Sequence, residues 1–438
     1  MAATAASPLP PGPPLPKWLQ TAGFIFAPIP WLEFCRRRYG DVVKFRSLFD
    51  GGFVMVFDPE LVKQVFRGPP DRLRAGEANA LLGILLGERS LLVLDGPEHI
   101  RHRKLLLPPF HGERLRRYAE VMREATDRVI DSWPLGEEVE LLPSMQALTL
   151  EVIERAVFGV EETSRRNELA HRIHAMVDPL DARLGLLVMV LARRHRRGSN
   201  SMDELDERRA QVDELIYEEI ADRRRQADLA EREDVLSMLL MATDEGGAAM
   251  TDQELRDELV TLLIAGHETT AAGLAWAFDL LMRNPRVLAK AREGDDKYLD
   301  ALVKEVLRIR PVVSGVGRVV RGEEPYELDG HLIPPGMEIN PSIAAIHRRA
   351  DRYPQADEFR PERFLGDDAP DNYAWIPFGG GTRRCIGASF ATSEMRTVIK
   401  RVLERVDLRP VGRAERGVRR GVVFVPKRGV RAVLEARR

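Results

Sequence analysis

A chain of 438 residues, 44% of them hydrophobic, is long enough to bury one large core or two ordinary ones. Its 66 basic and 68 acidic side chains leave a formal net charge of −2, which excludes the strongly basic surface of a nucleic-acid binder. Two cysteines, Cys35 and Cys385, are too few for a disulfide framework and fit a reducing cytoplasm, the expected location.

Residues 1–17, rich in proline, read as a flexible extended tail without the basic-then-apolar pattern of a signal peptide. Residues 18–438 read as one domain, because no internal repeat or Gly/Ser-rich linker divides them. No apolar run approaches the roughly 18 residues a membrane span needs. The apolar stretch from Leu184 to Ala192 is short, meets basic residues at once, and reads as a cap over the core.

In chain order, VVKFRSLFDGGFVMVF alternates about Asp50-Gly51 and predicts a β-hairpin. Asp58-Pro59 opens a short helix to Phe66, and a second helix after Pro97 carries His99 and Arg103 four apart on one face. From Arg114 to Met282 helical periodicity dominates. Thr251 and Glu254 form a capping-box pattern ahead of an apolar run that continues to Asn284-Pro285, about 30 residues and roughly 45 Å. After Pro311 short β-like runs alternate with turns at Asp329-Gly330 and Pro335-Gly336. The final RGVVFVPKRGVRAVLEA reads as a hairpin turning at Lys427 to Gly429. The fold class expected is mainly α with small β-sheets.

Chemistry concentrates in FGGGTRRCIG, Phe378 to Gly387. Consecutive glycines let the backbone take positive φ and approach a flat object. Cys385 then precedes a segment of helical periodicity, where unpaired N–H groups and the macrodipole favour a thiolate. An inert buried cysteine in a glycine turn is the bland alternative. Phe378, Gly381, Arg383, Cys385 and Gly387 match the heme-binding signature of the cytochrome P450 family position by position. This chain resembles that family over nearly its whole length beyond the tail.

By that resemblance the fold is the single-domain cytochrome P450 fold, Cys385 is the thiolate ligand to the iron of heme b, and Phe378, Gly379 and Gly387 bind the cofactor. Arg383 stands where bacterial members commonly carry His, and a guanidinium can still reach a heme propionate. AGHETT, residues 265–270, matches the family's distal-helix motif, in which a widened turn makes room for dioxygen. Glu268 and Thr269 fall on its catalytic acid–alcohol pair, which organises water to deliver protons for O–O cleavage, and Ala265 borders the cofactor. From the residues alone, Gly266, Gly273 and the Thr269-Thr270 pair mark a local weakness or a close packing contact in the helix. His267 has no second ligand at metal-binding spacing.

KYLDALVKEVLRIRP and FRPERF match the family's Glu-x-x-Arg and Pro-Glu-Arg-Phe elements, implying that Glu305, Arg308 and Arg363 form a buried network under the cysteine loop. His99, Arg103 and Arg318 match propionate partners. Arg349-Ala350 replaces the Asp-Pro usual in relatives, a departure confined to one loop. The resemblance further implies a monooxygenase placing one atom of O2 into a hydrophobic small molecule such as a terpenoid, fatty acid or steroid-like compound. Leu81 to Leu92, Leu262 with Ala265, Val312-Val313 and Val423-Phe424 would line its pocket. Electrons would come from a ferredoxin or flavodoxin and its NAD(P)H reductase, docking on a basic patch of Arg101, Lys104, Arg116, Arg117 and Arg384, and the chain would be a monomer. A heme peroxygenase or isomerase and a non-catalytic heme sensor or carrier are the competing readings, and Glu268-Thr269 argues against the peroxygenase and isomerase.

Overall fold

The computed structural model describes residues 9–48, 52–110, 112, 114–159, 164–177, 200–366 and 369–438. Alternating valine and aromatic residues pair antiparallel as β1 (Val42–Phe45) and β2 (Phe53–Val56), with Val42 opposite Val56 and Phe45 opposite Phe53. This is the predicted hairpin, although its Asp50-Gly51 turn lies outside the described residues, as does Leu184 to Ala192. The proline segment is held on this hairpin and on the helix that follows the segment: Lys44 N donates to Pro11 O at 2.8 Å, and Gln20 Nε2 of the Lys17–Phe26 helix donates to Leu15 O at 2.8 Å. Asp58 caps the Pro59–Arg67 helix by accepting from Glu60 N at 2.9 Å.

Further along come β3 (Leu73–Arg74), β4 (Glu138–Glu140), β5 (Arg318–Val320), β6 (Tyr326–Leu328), β7 (His331–Ile333) and β8 (Glu338–Pro341). The five-stranded sheet has the order β1-β2-β8-β5-β3, with β8 parallel to β2 and antiparallel to β5. β6 and β7 form the small hairpin predicted around Asp329-Gly330, whose positive φ values of 52° and 72° suit that tight turn.

The long helix Asp252–Met282 crosses the core, and its 31 residues span about 46 Å. Its capping box forms as predicted, with Glu254 N bonded to Thr251 Oγ1 at 3.2 Å and Thr251 N to Glu254 Oε2 at 2.7 Å. Two glycines bring other helices close. A Cβ at Gly266 would sit 3.1 Å from Ile153 of the Leu141–Phe158 helix, and one at Gly273 3.2 Å from Met395 of the Ala388–Arg405 helix. Among the described residues no helix is long and apolar enough to cross a membrane.

The C-terminal expectation is corrected. β10 (Gly417–Arg420) pairs with β11 (Val423–Pro426), while β12 (Arg431–Arg437) pairs with β9 (Val406–Pro410) and β4. No hairpin joins β11 to β12. Phe424 uses its backbone elsewhere: its N–H donates to Val312 O at 2.8 Å and its carbonyl accepts from Trp276 Nε1 at 3.0 Å. Gly429 and Val430, both at positive φ, then redirect the chain into the other sheet.

Candidate active site

Two of the three glycines of the cysteine loop have a packing reason. Cβ atoms at Gly380 and Gly381 would overlap Phe66 at the end of the Pro59–Arg67 helix, whereas the position a Cβ would take at Gly379 has only Val316 within 4 Å, at 3.9 Å. Gly379 and Gly381 both take φ of 65°. The loop closes with Cys385 N donating to Phe378 O at 2.9 Å, and Gly387 caps the following helix. Cys385 keeps accessible surface, yet enough protein surrounds the thiol to raise its pKa. That combination marks a side chain facing an interior space. The Gly387 N–H, Arg103 and Arg384 oppose the rise and favour the thiolate.

Under this loop lies the network that the resemblance implied. Arg308 Nε and Nη2 grip the two Glu305 oxygens at 2.7 and 2.9 Å, and Arg363 Nε donates to Glu305 Oε1 at 3.0 Å. Arg308 Nη1 continues to His347 O at 2.8 Å, and the neutral His347 ring accepts from Ile376 N at 2.9 Å, two residues before Phe378. Burial holds the His347 pKa at about 3, so that acceptor persists at neutral pH. Arg349, where an Asp-Pro turn was the family expectation, is buried and bonds Asp41 Oδ1 at 2.6 Å and Phe57 O at 3.1 Å, tying its loop to the first hairpin. Those partners, some 300 residues upstream, leave no local trace.

On the long helix, Ala265 is exposed although the helix runs through the core, so it too borders an interior space. Thr269 Oγ1 donates to Ala265 O at 2.7 Å. The helix is unbroken through residues 265–270, without the widened turn that the resemblance implied, and of the two readings of its glycines the close packing contact is the one seen, Gly266 against Ile153 and Gly273 against Met395. Glu268 accepts from Gln146 Nε2 at 3.0 and 3.1 Å, and Thr149 Oγ1 donates to His267 O at 3.1 Å. Gln146 and Thr149 escaped the sequence reading because neutral polar residues in an amphipathic helix carry no chemical signature.

Four expected cofactor residues converge from three elements: His99 and Arg103 on the Gly96–Leu106 helix, Arg318 on β5, and Arg383 in the cysteine loop. Burial, then the charges of Arg383, Arg103 and Arg318, push the His99 pKa down to about 3. Burial brings both Arg318 and Arg383 to about 10. Arg383 Nη2 donates to Leu94 O at 2.6 Å and pairs with Asp95, and its Nη1 donates to Leu91 O at 3.3 Å.

A model of the family described as Cytochrome P450 matches residues 10–429. The chain is 41% identical over 450 residues to the cytochrome P450 135B1 of Mycobacterium tuberculosis, covering 100% of this chain and 94% of that protein. To the cytochrome P450 138 of Mycobacterium bovis it is 40% identical, with 98% of this chain and 97% of that protein covered. The chain belongs to the cytochrome P450 family. This P450 superposes on a cyanobacterial relative solved with retinoic acid bound, at a TM-score of 0.83 over 98% of this chain and 99% of that one; their 24% identity speaks to fold alone. As a P450 it is a monooxygenase, an oxidoreductase whose family holds heme through a cysteine thiolate on iron.

The residues present in this P450 fit that group. Against the three guanidinium groups of the cluster stand Asp95 and Glu338, so a positive surplus faces the carboxylates that a heme would bring. The open side of Gly379 and the accessible sulfur of Cys385 suit a flat macrocycle carrying a metal ion. The proposed basic patch, in contrast, is largely neutralised. Lys104 pairs with Glu245 at 2.7 Å, Arg101 with Asp244 at 2.6 Å and Glu254 at 2.8 Å, and Arg117 with Glu233. Of that patch, only Arg116 and Arg384 lack an ion pair among the described residues.

Proposed function

We propose that this P450 holds heme b through Cys385 and places one oxygen atom into a hydrophobic small molecule of the terpenoid, fatty acid or steroid-like class, residues 18–438 acting as one monomeric cytoplasmic domain. The observation that carries this reading is the convergence of His99, Arg103, Arg318 and Arg383 beside the loop that bears the thiol. Arg103 belongs to both groups, since its charge bears on His99 and on Cys385.

Heme bound here supplies the oxygen-activating redox chemistry of the family. The chain supplies binding, orientation and protons. Arg103, Arg318 and Arg383 would neutralise the propionates, and His99 would donate to one of them. Phe378, Gly379 and Gly387 would pack on the porphyrin, and the Cys385 thiolate would be its electron-donating ligand. On the long helix, Thr269 Oγ1 would turn from Ala265 O to hold a water, and the Glu268 carboxylate would leave Gln146 Nε2 to collect the next proton. Leu82, Ile84 and Leu92, partly buried against the core, give the substrate an apolar wall. Electrons come from a ferredoxin or flavodoxin with its NAD(P)H reductase.

Cys385→Ser is expected to lose the red-shifted band of the reduced carbon monoxide complex, because a hydroxyl cannot replace the thiolate's electron donation, while Cys35→Ser keeps it. An unchanged band in Cys385→Ser would remove the thiolate assignment. NADPH-driven oxygenation with a surrogate ferredoxin and reductase separates the monooxygenase from a peroxygenase, isomerase or silent heme carrier.

A further inference from the structure

Residues 83–90 are fastened to the first half of the long helix by buried polar contacts that the proposed reaction does not use. Asp257 Oδ2 accepts from Arg89 N at 2.8 Å, and Oδ1 accepts from Arg256 Nη1 at 2.8 Å. The same Nη1 reaches Leu86 O at 3.0 Å, and Arg256 Nε donates to Asp213 Oδ1 at 2.6 Å on the Asn200–Arg225 helix. One turn further on, Thr261 shares a hydroxyl hydrogen bond with Ser90 at 2.7 Å. Arg256, Asp257, Thr261 and Ser90 are all buried.

The loop has been shaped to this carboxylate. Gly87 stands at φ of 97°, and a Cβ there would overlap Asp257. A buried ion pair recovers little net stability, because desolvating the charges offsets their attraction, so the gain from such a node lies in fixing geometry. What it fixes is the strip containing Ile84 and Leu86, over a stretch of helix where Thr261 and Asp257 stand one and two turns before Ala265, about 6 and 12 Å along the axis.

We infer that the Asp213–Arg256–Asp257 node is a latch that holds residues 83–90 as one wall of the substrate chamber and so limits the size of molecule that can enter. The inference rests on the reading that the space beside Ala265 is that chamber. A ligand small enough to pass the closed wall does not need the latch to open, whereas a bulky one waits for it.

The test uses the heme-loaded enzyme and two iron-binding azoles, imidazole as the small probe and clotrimazole as the bulky one. In Asp257→Ala, amide hydrogen exchange at residues 83–93 is expected to quicken about tenfold or more, which is the readout for local opening. Clotrimazole association, followed by its absorbance change, is expected to quicken about fivefold, with the imidazole rate unchanged. Gly87→Ala removes no latch side chain but sets a Cβ against the Asp257 carboxylate and so forces loop and latch apart, and carries the same expectation should Asp257→Ala fail to fold. Exchange unchanged in the folded variants overturns the latch. Rates for both azoles rising by one common factor overturn the size filter. Absence of any clotrimazole shift in wild type and variants alike sinks instead the reading of the chamber, while the exchange result still reports on the latch.

Discussion

Thr269 shows how a small side chain can serve the helix or the reaction. Its hydroxyl bonds Ala265 O at 2.7 Å within an unbroken helix, and the proposed reaction asks the same group to turn outward and hold water next to Glu268. Thr269→Ala is expected to keep its heme and oxidise NADPH near the wild-type rate, with most of the electrons leaving as hydrogen peroxide; product coupling equal to wild type would exclude the hydroxyl from proton delivery. His102 offers a second residue-level test. Its Nδ1 lies 2.7 Å from Glu258 Oε1 and its Nε2 3.1 Å from Glu254 Oε1, clamping the Gly96–Leu106 helix to the long helix. Burial lowers the His102 pKa, but hydrogen bonds and charges of the two carboxylates outweigh it and raise it above 6.5. Burial also raises Glu258, with His102 opposing, whereas bonds from Thr251 and His102 and the charge of Arg101 hold Glu254 at about 2 despite its burial. A raised histidine stabilises fully below 6.5 and loses that contribution as pH climbs through its folded value; Glu258, also raised, acts in the same direction. Glu254 loses its share only in strong acid, as pH falls from 4.5 through about 2. The melting temperature is therefore expected to fall between about pH 6 and pH 9 in the wild type, and to fall less in His102→Gln, by thermal unfolding in matched buffers.

Elements are joined here by buried charge as well as by apolar packing. The Glu305 carboxylate takes bonds from Arg308, Arg363 and Arg360 N, joining the Asp296–Ile309 helix to the segment at 360–363 and, through His347, to the cysteine loop. Glu305→Ala strands two buried guanidinium groups and is expected to cost about 3–5 kcal/mol. Chemical denaturation would show it as a lower midpoint together with weaker heme retention; an unchanged midpoint would make the network dispensable. This network was legible because Glu-x-x-Arg places its pair on one helix face and the family pattern supplied Arg363. The pairing of β11 was not legible, because Val423 to Pro426 has the same alternation whichever neighbour it takes. The choice fell to Trp276 and Val312, which claim the Phe424 backbone.

At the scale of the molecule, near-neutral net charge hides local asymmetry. Lys104 and Arg101 seemed to extend a basic face in sequence, but Glu245, Asp244 and Glu254 fold back on them. Arg384, beside the proposed ligand, has no such partner among the described residues and is exposed. Arg384→Glu is therefore expected to slow reduction by an acidic ferredoxin severalfold and flatten its dependence on salt, while Lys104→Glu changes it less. Stopped-flow reduction under carbon monoxide at several ionic strengths measures both, and equal effects from the two variants would contradict the neutralisation by Glu245.

Local chemistry was readable from the sequence by itself. The capping box at Thr251, the Asp329-Gly330 hairpin and the turn of the cysteine loop all depend on residues a few positions apart, where spacing is geometry. Tertiary structure decided what depends on distant partners: Gln146 on Glu268, Asp41 on Arg349, Glu245 on Lys104, and Asp257 on a loop that only glycine at position 87 can bring so near. The reason is physical. A side chain's type limits what it can bond, but which partner stands within about 3 Å of it is set by chain segments that meet only when the core closes.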